Sequence, residues 1–473
     1  MNWEFTIIMI NKNKILSWFN PERTFLLLSL VFGTMILFIF PPMTAPDELG
    51  HYAKAYAFSE GKIVPYFEDD PTNDFETWGN YGFDLPKSIK DMNTNALGVD
   101  FDTNLTYDYS QLKIENYDDY SSTFTPLGGQ LNYSFFQYIP QTIATFLGKL
   151  VGLSVLPTYY LAKLFNFFAY VLLMYFAIKV VKFGQWAMVL LALNPMSLEL
   201  ATSTSGDGFT NAVTFLFTAV LSSLIFEEQL RMDKLYFSFL LLIAMVQMKP
   251  TLILFGLMYF LISNKKFSVQ KKIAYGTAVF IVSVGCYIVW GKLFPSQDRM
   301  YMDWGQPNQQ LEFVKENPWY FVEVISNTIK NQTVHLLHSY SGKFGLLNRN
   351  ISYMAVLMYY ALVLFSLFVP DENSQEYSRI KPYFRIVSFA FLALFVFLNF
   401  FALYQIWTPL GFKEVLGLQG RYFISSGPFA LLTLVPSKPV LKHSIFKFIT
   451  VIGIFLFLSY STIFLIRTYG FLI

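Results

Sequence analysis

Charge is what this chain has least of. Only 14% of its 473 residues are Asp, Glu, Lys or Arg, against about 25% in an ordinary soluble chain. So few charges cannot cover a water-facing surface of this size, which excludes the soluble multidomain protein that the length would suggest. Cysteine occurs once, as Cys286 inside an apolar run, so intrachain disulfides and cysteine metal sites are excluded. No Walker loop and no G-x-G-x-x-G are present, which argues against a nucleotide-driven engine. With 34 Lys and Arg against 32 Asp and Glu, the net charge of +2 gives no reason to expect nucleic acid as a partner.

What is abundant is apolar. Hydrophobic residues make up 54% of the chain, Phe alone numbers 52, and the mean hydropathy is +0.42. Runs of about 20 apolar residues span a bilayer. Eleven candidates stand at roughly 24–40, 158–178, 184–202, 208–226, 235–248, 251–263, 273–294, 351–370, 384–404, 422–436 and 446–466. The expected fold is therefore an all-α polytopic membrane protein of about 11 transmembrane helices. The fifth and sixth runs meet at Lys249-Pro250, either a hairpin between two spans or a break within one. The first run reads as a retained anchor rather than a signal, because Pro41-Pro42 follows it instead of a small-residue cleavage site.

Basic residues in short loops set orientation. A cytoplasmic N-terminus (1–23) puts half of the 34 Lys and Arg on that side, among them Lys179, Lys182, Arg231, Lys234, Lys265, Lys266, Arg379 and Lys381. Two long loops, 41–157 and 295–350, then face outward, separated by spans at 158–294 and followed by spans at 351–473. Residues 41–125 hold sixteen acids against five bases, an acidic external segment. Residues 62–123, rich in Asp, Asn and Tyr, read as a small external domain. From Pro126 to Leu156, apolar residues at helical spacing fit a helix lying in the outer interface.

The most informative pattern is Pro46-Asp47-Glu48-Leu49-Gly50-His51, directly after the first span. The reading is a helix near 45–60, with Thr44 as N-cap, Pro46 in the first turn and Gly61 past the end. His51 is then i+4 from Asp47 and i+3 from Glu48, on one face. Two roles fit: a capping box made by Thr44 and Asp47, or a general base, Asp47, tuned by Glu48 and His51. Asp207, with Asn211 one turn on, Lys249, and Gln419-Gly420-Arg421-Tyr422 fall at the same side and depth. Lys249 and Arg421 read either as interfacial snorkellers or as a phosphate site, for which a guanidinium fork is well suited. The second long loop carries Asp298, Arg299, Asp303, Trp304, Trp319 and the His335/His338 pair. That pair has metal-ligand spacing but no third ligand nearby, so no metal is expected on it.

These motifs together resemble an uncharacterised bacterial membrane-protein family. It is built on a P-x-D-E-x-x-H segment, an N-P-M segment with a polar S-x-D turn, a middle Lys, a G-x-x-G loop and a late Q-G-R-Y segment. Here they stand as Pro46 to His51 (shifted by one Ala), Asn194-Pro195-Met196 with Asp207, Lys249-Pro250, Gly342-Lys343-Phe344-Gly345 and Gln419 to Tyr422. That family in turn looks like the GT-C superfamily of membrane glycosyltransferases. The resemblance implies a GT-C-like fold in the bacterial plasma membrane. It implies an inverting transfer of sugar from a polyprenyl-phosphate donor to an envelope glycan, lipid or protein on the outer face. By the same resemblance, Asp47 is the base, Glu48 and His51 orient, and Lys249 and Arg421 hold the donor phosphate. Asp207, Asn211, Lys343, Gln419 and Tyr422 line the substrate. The family's glycine loop continues with Trp, whereas Leu346 stands here, so no sugar-stacking role carries over to that position. Some superfamily relatives use a divalent metal on external carboxylates. Without a D-x-D pair near the first motif, neither metal nor any other cofactor is expected. The competing readings are a transporter or flippase, which would place ionisable groups at the midplane and show inverted repeats, and a polymerase of lipid-linked saccharides, which lacks an acid right after the first span.

Overall fold

The computed structural model describes residues 20–68, 81–293, 304–371 and 373–471. Asp298, Arg299 and Asp303, singled out above, lie outside them. The chain is mostly helical: α1 Pro21–Ile39, α2 Glu48–Ser59, α3 Lys87–Phe101, α4 Ile139–Leu150, α5 Val155–Val180, α6 Gln185–Ala192, α7 Pro195–Thr202, α8 Gly206–Phe226 and α9 Met232–Met248. A 3-10 helix, Pro250–Leu261, follows. Then come α10 Val269–Lys292, α11 Pro307–Glu316, α12 Pro318–Ser341, α13 Tyr353–Ser366, α14 Pro382–Ile406, a 3-10 turn Gly420–Ser426, α15 Gly427–Leu434 and α16 Ser444–Tyr469.

Among the described residues six helices are long and apolar enough to cross a membrane: α1, α5, α8, α10, α14 and α16. The other expected spans are shorter or broken, for local reasons. Pro195 splits 184–202 into α6 and α7, because proline has no N–H for the ladder and clashes with the preceding turn. The 422–436 run is likewise divided, with Pro428 in the first turn of α15. At Lys249 the backbone is extended (φ −143°, ψ 115°). Beyond it, Tyr259 Oη donates to Ser238 Oγ at 2.7 Å and Gly256 faces Leu242. The contacts run antiparallel, so Lys249-Pro250 is the bend of a hairpin.

The centre of the bundle is α8, nearly all of whose residues are buried, packed against α5, α7 and α9. Its C-terminal carbonyls are capped by basic side chains from other loops: Lys266 on Leu224 O and Ile225 O, Arg379 on Phe226 O. Around it, apolar side chains such as Leu240, Ile281, Ile386 and Phe389 are more than 60% exposed, a surface suited to lipid rather than water. Only 11% of the α10 window is buried, so it is the most peripheral of the long helices.

The described residues of 62–68 and 81–126 form a small unit beside the bundle. Strands β1 Tyr66–Phe67, β2 Tyr81–Pro86 and β3 Ser122–Pro126 make an antiparallel sheet in the order β1-β2-β3, with Phe83 opposite Thr125. Phe83 and Leu85 join Tyr52, Tyr56, Ile89 and Met92 in a core shared with α2 and α3. A hairpin, β4 Lys343–Phe344 and β5 Arg349–Asn350, docks beside it. There Arg349 donates to Val99 O, Asp102 O and Thr103 O at the end of α3. Helix α4 buries Gln141 and Thr145 and exposes Ile143, Phe146 and Leu150, the one-sided exposure expected of an interfacial helix.

Candidate functional site

Helix α2 begins at Glu48, not at Ala45. Asp47 occupies the N-cap position with φ 61° and ψ 20°, a left-handed conformation that Asp tolerates better than most residues. Thr44 does not cap the helix; its Oγ1 donates to Pro41 O at 2.8 Å, so the capping-box reading is not what forms. Glu48 fastens the turn instead. Its Oε2 accepts from Ala45 N at 3.2 Å and its Oε1 from Thr204 N at 2.9 Å, with only 2% of the residue exposed. Both oxygens therefore serve the backbone, and the turn is tied to the loop between α7 and α8.

Freed from capping, the Asp47 side chain is 48% exposed and its Oδ2 meets Arg421 Nη2 at 3.1 Å, while the Arg421 side chain is only 4% exposed. A second pair lies alongside: Lys249 Nζ to Asp207 Oδ1 at 2.7 Å. Asp207 sits in the first turn of α8, capped by Ser205 Oγ, and also accepts from Gln137 Nε2 at 3.3 Å. The Tyr422 ring faces both cations, with Lys249 Nζ 5.9 Å and Arg421 Cζ 5.5 Å from its centroid. His51 is buried, and its Nδ1 is 2.8 Å from Tyr138 Oη. Burial pushes its pKa down to about 4 against the pull of Asp47 and Asp207, so the ring is neutral near pH 7. Two acids and two cations thus surround a neutral imidazole and cancel in charge. An anion entering here competes with a carboxylate for each cation.

The sequence residues Asp47, His51, Asp207, Lys249, Arg421 and Tyr422 are brought together by four separate segments. Asn211 is buried one turn along α8, and its side chain makes no hydrogen bond among the described residues. Gln419 precedes the Arg421 turn with its Oε1 buried and unbonded. Lys343 pairs elsewhere, 2.9 Å from His335 Nδ1, and His338 Nε2 meets Ile351 O at 2.8 Å. The H-x-x-H pair is therefore divided between two partners, and no group of three or more His, Cys, Asp or Glu able to hold a metal occurs among the described residues. The glycine loop is tied to α7 at Gly345, whose N–H donates to Glu199 Oε1 at 2.9 Å.

Four contributors were not legible from the motifs. Tyr138 supports His51, and Tyr133 lies parallel to its ring at 6.0 Å. Gln137 braces Asp207. Lys54, fully buried, donates to Gln130 O and Leu131 O at 2.8 Å and also to Tyr133 O, fixing the turn that carries Tyr133. Only Lys54 left a sequence signal, one turn beyond His51 on the same helix face.

None of the curated proteins and none of the solved structures compared with the chain matches it. A family of predicted membrane proteins, DUF2142, matches residues 30–433, a stretch that takes in the Asp47 turn, both cations and the Gln419–Tyr422 segment, and the chain belongs to that family.

Proposed function

We propose that this protein is an inverting, GT-C-type glycosyltransferase of the bacterial plasma membrane, taking sugar from a polyprenyl-phosphate donor on the outer face. In this reading the N-terminus is cytoplasmic and eleven segments cross, the short helices α6 and α7 together completing one crossing. The acceptor is an envelope glycan, lipid or protein. The acceptor hydroxyl gives its proton to Asp47 as its oxygen attacks the anomeric carbon. The bond from that carbon to the phosphate oxygen breaks, and its electron pair leaves with polyprenyl phosphate. Lys249 and Arg421 offset the charge gathering there, an effect worth several kcal/mol when the cations are held in place beforehand. Glu48 holds the turn that aims Asp47, and neutral His51 supports it from the helix face. Asp207, Asn211, Gln419 and Tyr422 complete the substrate surface, and Lys343, paired with His335, is left out of it. Two fixed cations supply the positive charge the leaving phosphate needs, and no step calls for a metal.

The observation that carries this reading is the exposed Asp47 carboxylate resting on a buried Arg421, beside the Lys249–Asp207 pair. A base must reach solvent and substrate, whereas a phosphate-binding cation gains strength from burial. The test is turnover of a polyprenyl-phosphate sugar by purified protein. Asp47→Asn, which keeps shape and tolerates the left-handed backbone, is expected to cut kcat by about 10²–10⁴. Arg421→Ala is expected to raise the donor KM. Equal turnover with Asn at position 47 overturns the base assignment.

A further inference from the structure

A polar cavity of about 370 Å³ opens at the end of α2 away from Asp47. Tyr56, Glu60, Lys62, Asp84, Tyr120 and Lys149 line it. Glu60 pairs with Lys62 at 2.7 Å and with Lys149 at 2.5 Å. Lys62 also donates to Asp84 O at 2.7 Å, and Lys149 lies 4.6 Å from the Tyr56 ring centroid. Two acids and two lysines cancel, and both lysines are already engaged, so nothing here singles out an anion. Tyr120 is different. It is 53% exposed, and among the described residues its ring stacks on no other ring and its hydroxyl makes no hydrogen bond. A flat, unpartnered ring beside carboxylates and a serine hydroxyl suits a ligand with an apolar face and many hydroxyls.

We propose that this cavity binds a neutral oligosaccharide, with a sugar ring on Tyr120 and hydroxyls on Glu60, Asp84 and Ser122. Thirteen residues of helix at about 1.5 Å each separate Asp47 from Glu60, roughly 20 Å, farther than a single sugar reaches. A ligand that also served as the acceptor at Asp47 would therefore be a chain of several sugars. That this chain is the acceptor rests on the transferase reading above; its binding does not.

The experiment measures binding without turnover. The full chain in nanodiscs is titrated, by saturation-transfer NMR, with maltoheptaose, chitoheptaose and mannoheptaose, with an alginate heptamer as acidic counterpart and with glycerol 3-phosphate as lipid headgroup. At least one neutral heptamer is expected to bind, more tightly than the acidic heptamer or the headgroup. Tyr120→Ala is expected to weaken it about tenfold and Tyr120→Trp to retain it. Tyr120 is exposed, so its loss spares the fold. No binding by any neutral heptamer, preference for the alginate or the phosphate, or indifference to Tyr120→Ala overturns the proposal. Saccharide binding that persists while Asp47→Asn retains full turnover upholds the cavity and removes only the base assignment.

Discussion

At the scale of single residues, the site is a set of charges that hold one another. The Asp207 side chain is 10% exposed and leans on Lys249. Removing one member of a buried pair strands the other, at a cost of about 3–5 kcal/mol. Lys249→Met is therefore expected to lower the thermal midpoint in detergent sharply, and Lys249→Met with Asp207→Leu to recover most of the loss. If the double variant is no more stable than the single, the pair is not coupled. His51 gives a pH signature with a definite sign. Its folded pKa, about 4, lies below the unfolded value near 6.5. Its contribution is complete above pH 6.5 and declines as pH falls toward 4, by up to about 1.4 kcal/mol per unit. The wild-type midpoint is thus expected to drop across that window more steeply than that of His51→Gln, and parallel curves contradict it.

At the scale of elements, the site depends on backbones that approach closely. Gly420 starts the turn bearing Arg421 and sits directly on α12, where an added methyl would overlap Leu336 O and Tyr340 N. Neither backbone atom can yield, so Gly420→Ala is expected to displace Arg421 and raise the donor KM at least as much as Arg421→Ala does. An unchanged KM shows that α12 does not set the position of Arg421. The same close packing explains which elements the sequence revealed. Long apolar helices such as α14 and α16 were plain from composition, since lipid asks only for hydrophobic length. The breaks at Pro195 and Lys249 were visible as residues, but whether a Pro kinks or reverses a chain depends on what packs beside it. At Lys249-Pro250 it is the return of Tyr259 and Gly256 onto Ser238 and Leu242 of α9.

At the scale of the whole molecule, orientation is the property on which the transferase reading stands. Cys286 is exposed on α10, and replacing it by Ser gives a background free of cysteine at small cost. In that background, Tyr120→Cys is expected to react with an impermeant maleimide added to intact cells, whereas Lys266→Cys reacts only after lysis. The reverse pattern turns the molecule over and ends the outer-face reading. Lys266 and Arg379 are fold elements as well as orientation signals, since they satisfy carbonyls at the end of the central helix.

By itself the amino-acid order determined that the chain lives in a bilayer, where its long helices run, and which charged residues gather at one depth. Those properties follow from local hydrophobicity and from the cost of placing charge in lipid, and both can be read one segment at a time. The tertiary structure alone decided that Glu48 serves the backbone while Asp47 turns away from its helix to Arg421. It also decided that Tyr138, Gln137 and Lys54 join the site, and that Lys343 pairs with His335. Those choices depend on which of several possible partners arrives within hydrogen-bonding distance, and only the packing of segments far apart in the chain sets that.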